Sequence, residues 1–172
     1  MFVRPARVED AAAIAAIQRT VWVEDYRPLM REAIEFPSVA ELTELWGDAI
    51  RNSPSQRARV LVATENDEVV GFTSVAAIDA KTDEIDPLHV ARTHRRKGHA
   101  SRLLTAIADT SKSMNVTTLT TWALEGDHPW TGLLHASGFG LVKQERTLDL
   151  RDDGSMVLIQ HRWQTQLVDD VE

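Results

Sequence analysis

A short basic segment, Arg95–Ala100, combines the residue types that bind a small anion. It follows the apolar stretch Ile85–Val90, and helical periodicity begins at its last residue. The start of a helix presents unpaired backbone N–H groups and the positive end of the helix dipole, so a phosphate placed there gains hydrogen bonds and a favourable field. Gly98 lacks a Cβ, which lets the backbone approach a ligand closely, and the three cations before it add positive charge. The segment therefore predicts a phosphate site between a strand and a helix.

Two carboxylates, Glu84 and Asp86, precede this segment on the same predicted strand. Residues two apart on a strand project to the same side, so both carboxylates face one surface. An alkyl amine has a pKa near ~10.4 and is mostly protonated at neutral pH, and a carboxylate that removes its proton raises the reactive fraction. Both residues are therefore candidate general bases. The alternative is that one or both face solvent or pair with an arginine.

The histidines suggest two further roles. His89, His94 and His99 recur every five residues, a spacing that suits no single face of a helix or strand, so we expect no metal site. His128 stands next to Pro129 at the start of a short predicted helix and is a candidate proton relay. A solvated loop residue is the alternative for His128.

The pattern of apolar residues predicts alternating strands and helices. The predicted strands are Phe2–Ala6, Val60–Thr64, Val69–Ala76, Thr82–Val90, Thr117–Leu124, Leu141–Leu150 and Ser155–Trp163. The predicted helices are Val8–Trp22, a piece after Pro28 that runs to Phe36, one opened by the capping box Ser38–Glu41, one from Ala100 to about Met114, and Pro129–Ala136. The order β-α-α-β-β-β-α-β-α-β-β predicts an α/β fold, α+β by some conventions, with one mixed central sheet flanked by helices.

Composition also predicts two turns and one buried helix face. The turns are Glu65–Glu68, a hairpin by its residues and spacing, and the segment from Arg151 to Gly154. The helix after the capping box is expected to bury one face, formed by Val39, Leu42, Leu45, Trp46, Ala49 and Ile50.

Length, composition and charge limit the classes of protein. The 172 residues predict one domain over residues 1–164 and an acidic tail over 165–172. The absence of cysteine excludes disulfides and a thiol nucleophile and is compatible with the cytoplasm, where we expect the protein to act. No segment approaches the roughly 20 apolar residues of a membrane span, so we expect no membrane partner. A net charge of -7 opposes long nucleic acid and favours a small anionic ligand at the basic segment.

The motif Arg-x-x-Gly-x-Ala after an apolar strand resembles the acyl-CoA pyrophosphate loop of the GNAT superfamily of N-acetyltransferases. The corner Ala136–Phe139 is similar to the Gly-Phe corner of that family, and the resemblance extends from about Phe2 to Trp163. It implies acetyl-CoA as co-substrate, no metal, and transfer of the acetyl group to a primary amine of a small molecule or peptide, by a monomer or homodimer. The implied cofactor-binding residues are Leu88, His89, Val90, Arg95, Arg96, Lys97, Gly98, His99, Ala100 and Ser101.

The resemblance also implies roles for single residues and shows where this sequence departs from the family pattern. Glu84 falls where several members of the family carry a general base, so we expect it to contribute more than Asp86. Many members place a tyrosine four residues before the glycine of the corner, where this chain has Leu134, and an asparagine common at the end of the preceding strand is also missing. Tyr26 is the only tyrosine of the chain and the only phenol that could replace the missing one. It lies among the elements expected to shape the acceptor site, so we expect instead that the thiolate leaves unassisted or is protonated by water.

Two other functions compete with acetyl transfer at this stage. The missing tyrosine is compatible with a non-catalytic acyl-CoA-binding regulatory module of the same fold. A nucleic-acid-binding protein would use Arg92, Arg95, Arg96 and Lys97 on phosphates, but the net charge of the chain opposes this.

Overall fold

A seven-stranded mixed sheet forms the centre of the molecule, and the computed structural model describes residues 2–30, 34–151 and 153–167. In chain order the strands are β1 (Phe2–Pro5), β2 (Arg59–Glu65), β3 (Glu68–Ala77), β4 (Thr82–Val90), β5 (Thr118–Leu124), β6 (Gly140–Asp149) and β7 (Val157–Gln166). Their order across the sheet is β1-β2-β3-β4-β5-β7-β6. Neighbouring strands are antiparallel except β4 and β5, which are parallel and are connected through a helix.

Within the described residues four α-helices flank the sheet: α1 (Ala11–Val21), α2 (Val39–Arg51), α3 (His99–Ser113) and α4 (His128–Ala136). A 3-10 turn, Val8–Asp10, leads into α1, and a π-helical segment, Trp22–Tyr26, continues it before a second 3-10 turn, Arg27–Leu29. The order of strands and α-helices confirms the predicted α/β fold. None of the helices in the described part of the chain is long and apolar enough to cross a membrane.

Each face of the sheet has its own hydrophobic core. On one face, α1 and α2 bury a cluster that includes Ile14, Trp46 and Phe72, and the indole of Trp46 donates a 2.6 Å hydrogen bond to Gln18. On the other face, α3 and α4 pack on the remaining cluster, whose members are Leu61, Ala63, Val70, Val75, Ile85, Leu103, Leu104, Ile107, Leu119, Ala123, Leu134 and Phe139. Because helices cover part of both faces of the sheet, a ligand reaches the sheet most readily near the ends of its strands.

Two predictions from local sequence are confirmed, one at a hairpin turn and one at the start of a helix. Asn66 and Asp67 connect β2 to β3 with φ of 52° and 64°, the left-handed values that a two-residue hairpin turn requires. At the start of α2, Ser38 Oγ accepts a 3.2 Å bond from the Glu41 N–H, and the Glu41 carboxylate accepts a 2.7 Å bond from the Ser38 N–H. These reciprocal bonds form the predicted capping box.

Several sequence-based boundaries are wrong. The first helix continues past Trp22 through the π-helical segment, and residues 34–37 are not helical, although a helix was expected to reach Phe36. On α2, three residues of the predicted buried face are exposed: Val39 (41%), Leu45 (60%) and Ala49. The helix packs on α1 and on Phe72 of β3 only through the side that carries Leu42 and Trp46. Strand β7 runs three residues beyond the predicted end.

Parts of three other predictions lie outside the described residues. They are residues 31–33 of the piece expected to run to Phe36, Asp152 of the expected second turn, and residues 168–172 of the expected tail.

The parallel strands β4 and β5 separate partway along the sheet. They pair only from Thr82 opposite Thr118 to Ile85 opposite Thr121, where the Thr121 hydroxyl donates a 2.8 Å bond to the Ile85 carbonyl. Beyond this point β4 stays with β3 as far as Val90, whereas β5 stays with β7. The separation opens a gap in the middle of the sheet on the side where β4 leads into α3.

A buried ion network holds β4 just before the separation. The fully buried carboxylate of Asp83 accepts bonds from Arg57 at 2.7 and 3.0 Å and from the Ser111 hydroxyl at 2.7 Å, and Arg59 lies 3.5 Å away. Arg59 also bonds Ser111 at 2.7 Å. The network therefore connects the segment before β2, strand β2 and α3 through one carboxylate.

Replacing Asp83 with asparagine should lower the free energy of unfolding by about 3 to 5 kcal/mol, because two arginines would lose the carboxylate that compensates their partial burial. Urea denaturation measures this value. The control Glu68→Gln removes an exposed carboxylate at the start of β3 and should change the free energy by no more than about 0.5 kcal/mol. A loss below about 1 kcal/mol for Asp83→Asn would show that the network is not important for stability.

Candidate functional site

The gap between β4 and β5 is part of a cleft with a volume of about 910 Å³. Four segments line it: the π-helical segment with Val21 and Leu29, the end of β4, the start of α3, and residues from Gly126 to Ala136 around α4. This volume is within the range of clefts that enclose small-molecule ligands. The end of β4 and the start of α3 are close together in the chain, so the walls come from three distant parts of the sequence. Only folding brings these parts together.

The start of α3 forms one end of the cleft. Gly98 is the N-cap residue and adopts φ +83°, the left-handed region that favours glycine, and a Cβ there would lie 3.3 Å from the guanidinium of Arg102. The backbones of His99, Ala100 and Ser101 form the first turn, whose N–H groups have no partner within a helix. This end can therefore hold an anion through main-chain donors.

The basic side chains beside this end are held by carboxylates. Arg95 forms an ion pair with Asp25 of the π-helical segment and donates a 3.1 Å bond to the Val90 carbonyl. Lys97 lies 3.4 Å from Glu65, which also contacts the buried ring of His99 at 2.9 Å. The positive charges of Arg95 and Lys97, which the sequence suggested were free around Gly98, are therefore already paired with carboxylates.

The end of β4 forms the inner wall of the cleft. His89 is buried there, and burial lowers the pKa of its ring to about 4, with the charge of Arg95 acting in the same direction. The ring is neutral at physiological pH and contacts the rings of Phe72 and Tyr26 with centroid distances of 5.6 and 5.8 Å. Among the described residues, its Nε2 has no hydrogen-bond partner. His89 therefore acts as a neutral packing element beneath Tyr26.

The two predicted carboxylates lie where β4 leaves β5, and they have different surroundings. Glu84 accepts a 2.9 Å bond from the indole of Trp122, and Arg146 stacks over that indole at 4.4 Å. Asp86 keeps an exposed surface, but the protein around its carboxyl removes enough water to raise its pKa; Arg146 opposes the shift and Glu84 adds to it. Both residues stand beside the cleft rather than in its lining.

Tyr26 and Asp127 meet across the cleft. Asp127 follows β5 and caps α4 by accepting a 3.1 Å bond from the Trp130 N–H. Burial raises the pKa of Asp127, and a hydrogen bond from the Tyr26 hydroxyl opposes this shift. Burial also raises the pKa of Tyr26 above its ordinary value, and the negative charges of Asp127, Asp86 and Asp25 raise it further. The phenol is therefore protonated at neutral pH.

Sequence reasoning did not place Asp25 or Asp127 in the site. Asp127 has the local signal of a helix N-cap, an aspartate two residues before a proline, but nothing local connects it to Tyr26. Asp25 lies between the predicted end of the first helix at Trp22 and the piece expected after Pro28. Both contacts join residues about 70 to 100 positions apart and required the fold.

The structure brings most of the predicted site residues together. Of the expected cofactor-binding residues, all but Lys97 line the cleft, and His128 lines it from the start of α4. Leu134, at the position of the family tyrosine, is fully buried in the core beneath α4 and is not part of the lining.

The chain belongs to the acetyltransferase (GNAT) family, whose model matches residues 19–139. A comparison with curated protein sequences found no match. Solved structures give the same fold. The structure of yncA from Salmonella typhimurium with acetyl-CoA has a TM-score of 0.73 at 20% identity, with 100% of this chain and 96% of that chain covered. The ribosomal-protein-alanine N-acetyltransferase from Brucella melitensis has a TM-score of 0.71 at 20% identity, with 96% and 99% covered. Ard1 from Thermoplasma volcanium has a TM-score of 0.74 at 17% identity, with 98% of each chain covered.

Replacing Gly98 with aspartate should weaken CoA binding at least about tenfold, because it adds a negative charge at the start of α3 and strains a left-handed backbone position. Isothermal titration calorimetry with CoA measures the affinity. Gly154→Asp is the matched control, since Gly154 also has a positive φ, +73°, but lies in the connection between β6 and β7. The control should bind CoA like the wild type. If folded Gly98→Asp bound CoA with unchanged affinity, the anion site would not lie at this end of the cleft.

Proposed function

We propose that this chain transfers an acetyl group from acetyl-CoA to a primary amine of a small molecule or peptide by direct attack of the amine. The observation that carries the proposal is the continuity of the cleft. It runs from the main-chain anion site at Gly98, along the end of β4, to the point where β4 and β5 separate beside two carboxylates. Membership of the acetyltransferase family supports the same assignment.

An acyl-CoA fits the residues present. The first turn of α3 supplies donors for the pyrophosphate, and the glycine leaves no side chain between backbone and phosphate. From there Leu88, His89 and Val90 form a largely apolar wall that leads toward Asp86. The co-substrate supplies the activated acetyl group, and the chain must orient it, exclude water and remove a proton from the amine.

Asp86 is the better candidate for the base, in place of the sequence-based preference for Glu84. Its carboxyl has a raised pKa, which makes it a stronger base when ionised, and it keeps an exposed surface that an incoming amine can reach. Glu84 is occupied by the Trp122 indole and adds a negative charge that raises the pKa of Asp86. We assign removal of the amine proton to Asp86. The role of Glu84 is to place a negative charge near Asp86 that raises its pKa.

Asp86→Asn should lower kcat/KM about 100-fold at neutral pH, whereas Glu84→Gln should have a smaller effect. In the wild type the rate should rise with pH as Asp86 loses its proton, over a range above the ordinary range for aspartate because its folded pKa is raised. In Asp86→Asn this rise should disappear, and rates at high pH should partly recover because free amine becomes more abundant. Rate profiles of the three proteins against pH measure both effects. An unaltered profile in Asp86→Asn, with loss in Glu84→Gln, would reverse the assignment.

The function itself is tested with purified protein, acetyl-CoA and a panel of primary amines that includes free amino acids, polyamines, aminoglycosides and peptides with free N-termini. Transfer should release thiol and add one acetyl group to at least one amine, measured by a thiol reagent and by mass spectrometry. Gly98→Asp is the negative control. Tight binding of acetyl-CoA by calorimetry without transfer to any amine would contradict the proposal and favour a regulatory acyl-CoA-binding module.

A further inference from the structure

The side of the sheet that carries Glu84 continues across β5, β7 and β6 as a polar surface. Residues opposite each other on neighbouring strands, and residues two apart on one strand, project to the same side of a sheet. On this side α1 and α2 pack on β2 and β3. The polar sheet face, as we call the rest of it, consists of residues that keep part of their surface exposed: Glu84, Asp86, Trp122, Gln160, Arg162 and Arg146.

Arg146 on β6 is held in place by two neutral groups. Its guanidinium stacks over the indole of Trp122 at 4.4 Å, and its Nε donates a 2.7 Å bond to the amide oxygen of Gln160, its cross-strand partner on β7. Stacking occupies the flat face of a guanidinium and leaves the two terminal nitrogens on its edge as donors. Arg146 is therefore oriented without being neutralised.

Arg162 on β7 repeats this arrangement beside it. It lies opposite Trp122, and its Nε donates a 2.8 Å bond to the hydroxyl of Thr120. Its Nη1 donates a 2.9 Å bond to the amide oxygen of Gln144. The partners of this guanidinium are again neutral, so the polar sheet face has a second oriented cation.

The two arginines keep their positive charge. Within the part of the chain that the structure describes, neither Arg146 nor Arg162 forms an ion pair. Arg95 at the cleft is different, because the carboxylate of Asp25 pairs with it. The edge of a guanidinium matches the two oxygens of a carboxylate, and such charge-assisted bonds are about twice as strong as neutral ones. The polar sheet face can therefore bind a carboxylate of a ligand.

A negative group lies beside these cations. The indole of Trp122, which lies under Arg146, donates a 2.9 Å bond to Glu84, and Asp86 follows two residues further along β4. Side chains two apart on a strand are roughly 6 to 7 Å apart, the scale of a small molecule. The face thus places carboxylates at one end and a guanidinium at the other, which is the charge pattern that complements a zwitterion.

We propose, on the basis of the function proposed above, that the acceptor is an amine that also carries a carboxylate, with its nitrogen at Asp86 and its carboxylate on the edge of Arg146. Arg162 adds a second positive charge on the neighbouring strand. An amine without an anionic group makes no use of these cations, and a polyamine would place a further positive charge against them. The carboxylate belongs either to a free amino acid or to an acidic side chain next to a free N-terminus.

The first test measures binding without transfer, by calorimetry on the protein saturated with CoA, which has no acetyl group to give. The probes are matched pairs: free glycine, leucine, phenylalanine and glutamine against their carboxamides, and alanyl-glutamate amide against alanyl-glutamine amide. In at least one pair the member with the carboxylate should bind at least about tenfold more tightly, and the pair that shows this identifies the source of the carboxylate.

Arg146→Gln should remove this preference, and Lys143→Gln should keep it. Lys143 is the matched control, since it is an exposed cation of the same strand. CoA affinity and thermal unfolding of both variants check their folding. If no carboxylate-bearing probe binds better than its neutral partner in the wild type, or if Arg146→Gln keeps the preference, the proposal is overturned.

The second test compares kcat/KM for an acetylated amino acid or acidic peptide with kcat/KM for its neutral partner. Arg146→Gln should lower this ratio about 30-fold, chiefly through KM, and Arg146→Lys should lower it less because the charge is kept and the planar edge is lost. Loss of Arg146 also raises the pKa of Asp86 further, since Arg146 opposes that shift. This effect acts on both acceptors alike and cancels in the ratio.

The two proposals fail in different ways. If the wild type acetylates only amines without a carboxylate, or if the ratio is unchanged in Arg146→Gln, the role of Arg146 is refuted and the transferase function stands. If the wild type acetylates no amine, the proposed function fails, and the binding pairs still decide whether Arg146 holds a carboxylate.

Discussion

The separation of β4 from β5 is the constraint on which the site depends. Parallel strands in the middle of a sheet normally satisfy each other's backbone groups along their length, and here that pairing ends at Ile85 and Thr121. The hydroxyl of Thr121 closes the last step of the ladder, and the buried Asp83 network fixes β4 two residues earlier. Everything that distinguishes the site lies beyond this point: the open end of β4, the start of α3 and the approach of the π-helical segment. A sheet paired to its end would have no cleft.

The sequence predicts the framework of this site because its signals are local. The strand Thr82–Val90 has the predicted bounds, and Gly98 has the left-handed backbone expected of a glycine before an anion-binding helix. These features depend on neighbouring residues alone. The exposure of Leu45 on α2 shows the limit of the same method, since periodicity marks an apolar stripe without showing how much of it the neighbouring elements cover.

The chemistry of the site was harder to predict because it depends on contacts between distant residues. Glu84 and Asp86 look equivalent in the sequence, but an indole from β5 engages one and partial burial raises the pKa of the other. Tyr26 meets Asp127, about 100 residues further along the chain, from the π-helical segment that continues α1. Three basic residues in a row suggest free charge, but the fold gives Arg95 and Lys97 carboxylate partners from other elements. None of these partners can be predicted from the neighbouring residues in the sequence.

The pairing of Arg95 joins the two ends of the cleft energetically. One guanidinium contacts the carbonyl at the end of β4 and the carboxylate next to Tyr26, so it belongs to both the anion end and the phenol end. Any ligand phosphate that draws this guanidinium away from Asp25 loosens the segment that carries the phenol. Reciprocity of binding free energies then requires that a ligand which orders this segment also changes the affinity of the anion end. Occupancy at one end of the cleft thereby becomes a thermodynamic signal to the other.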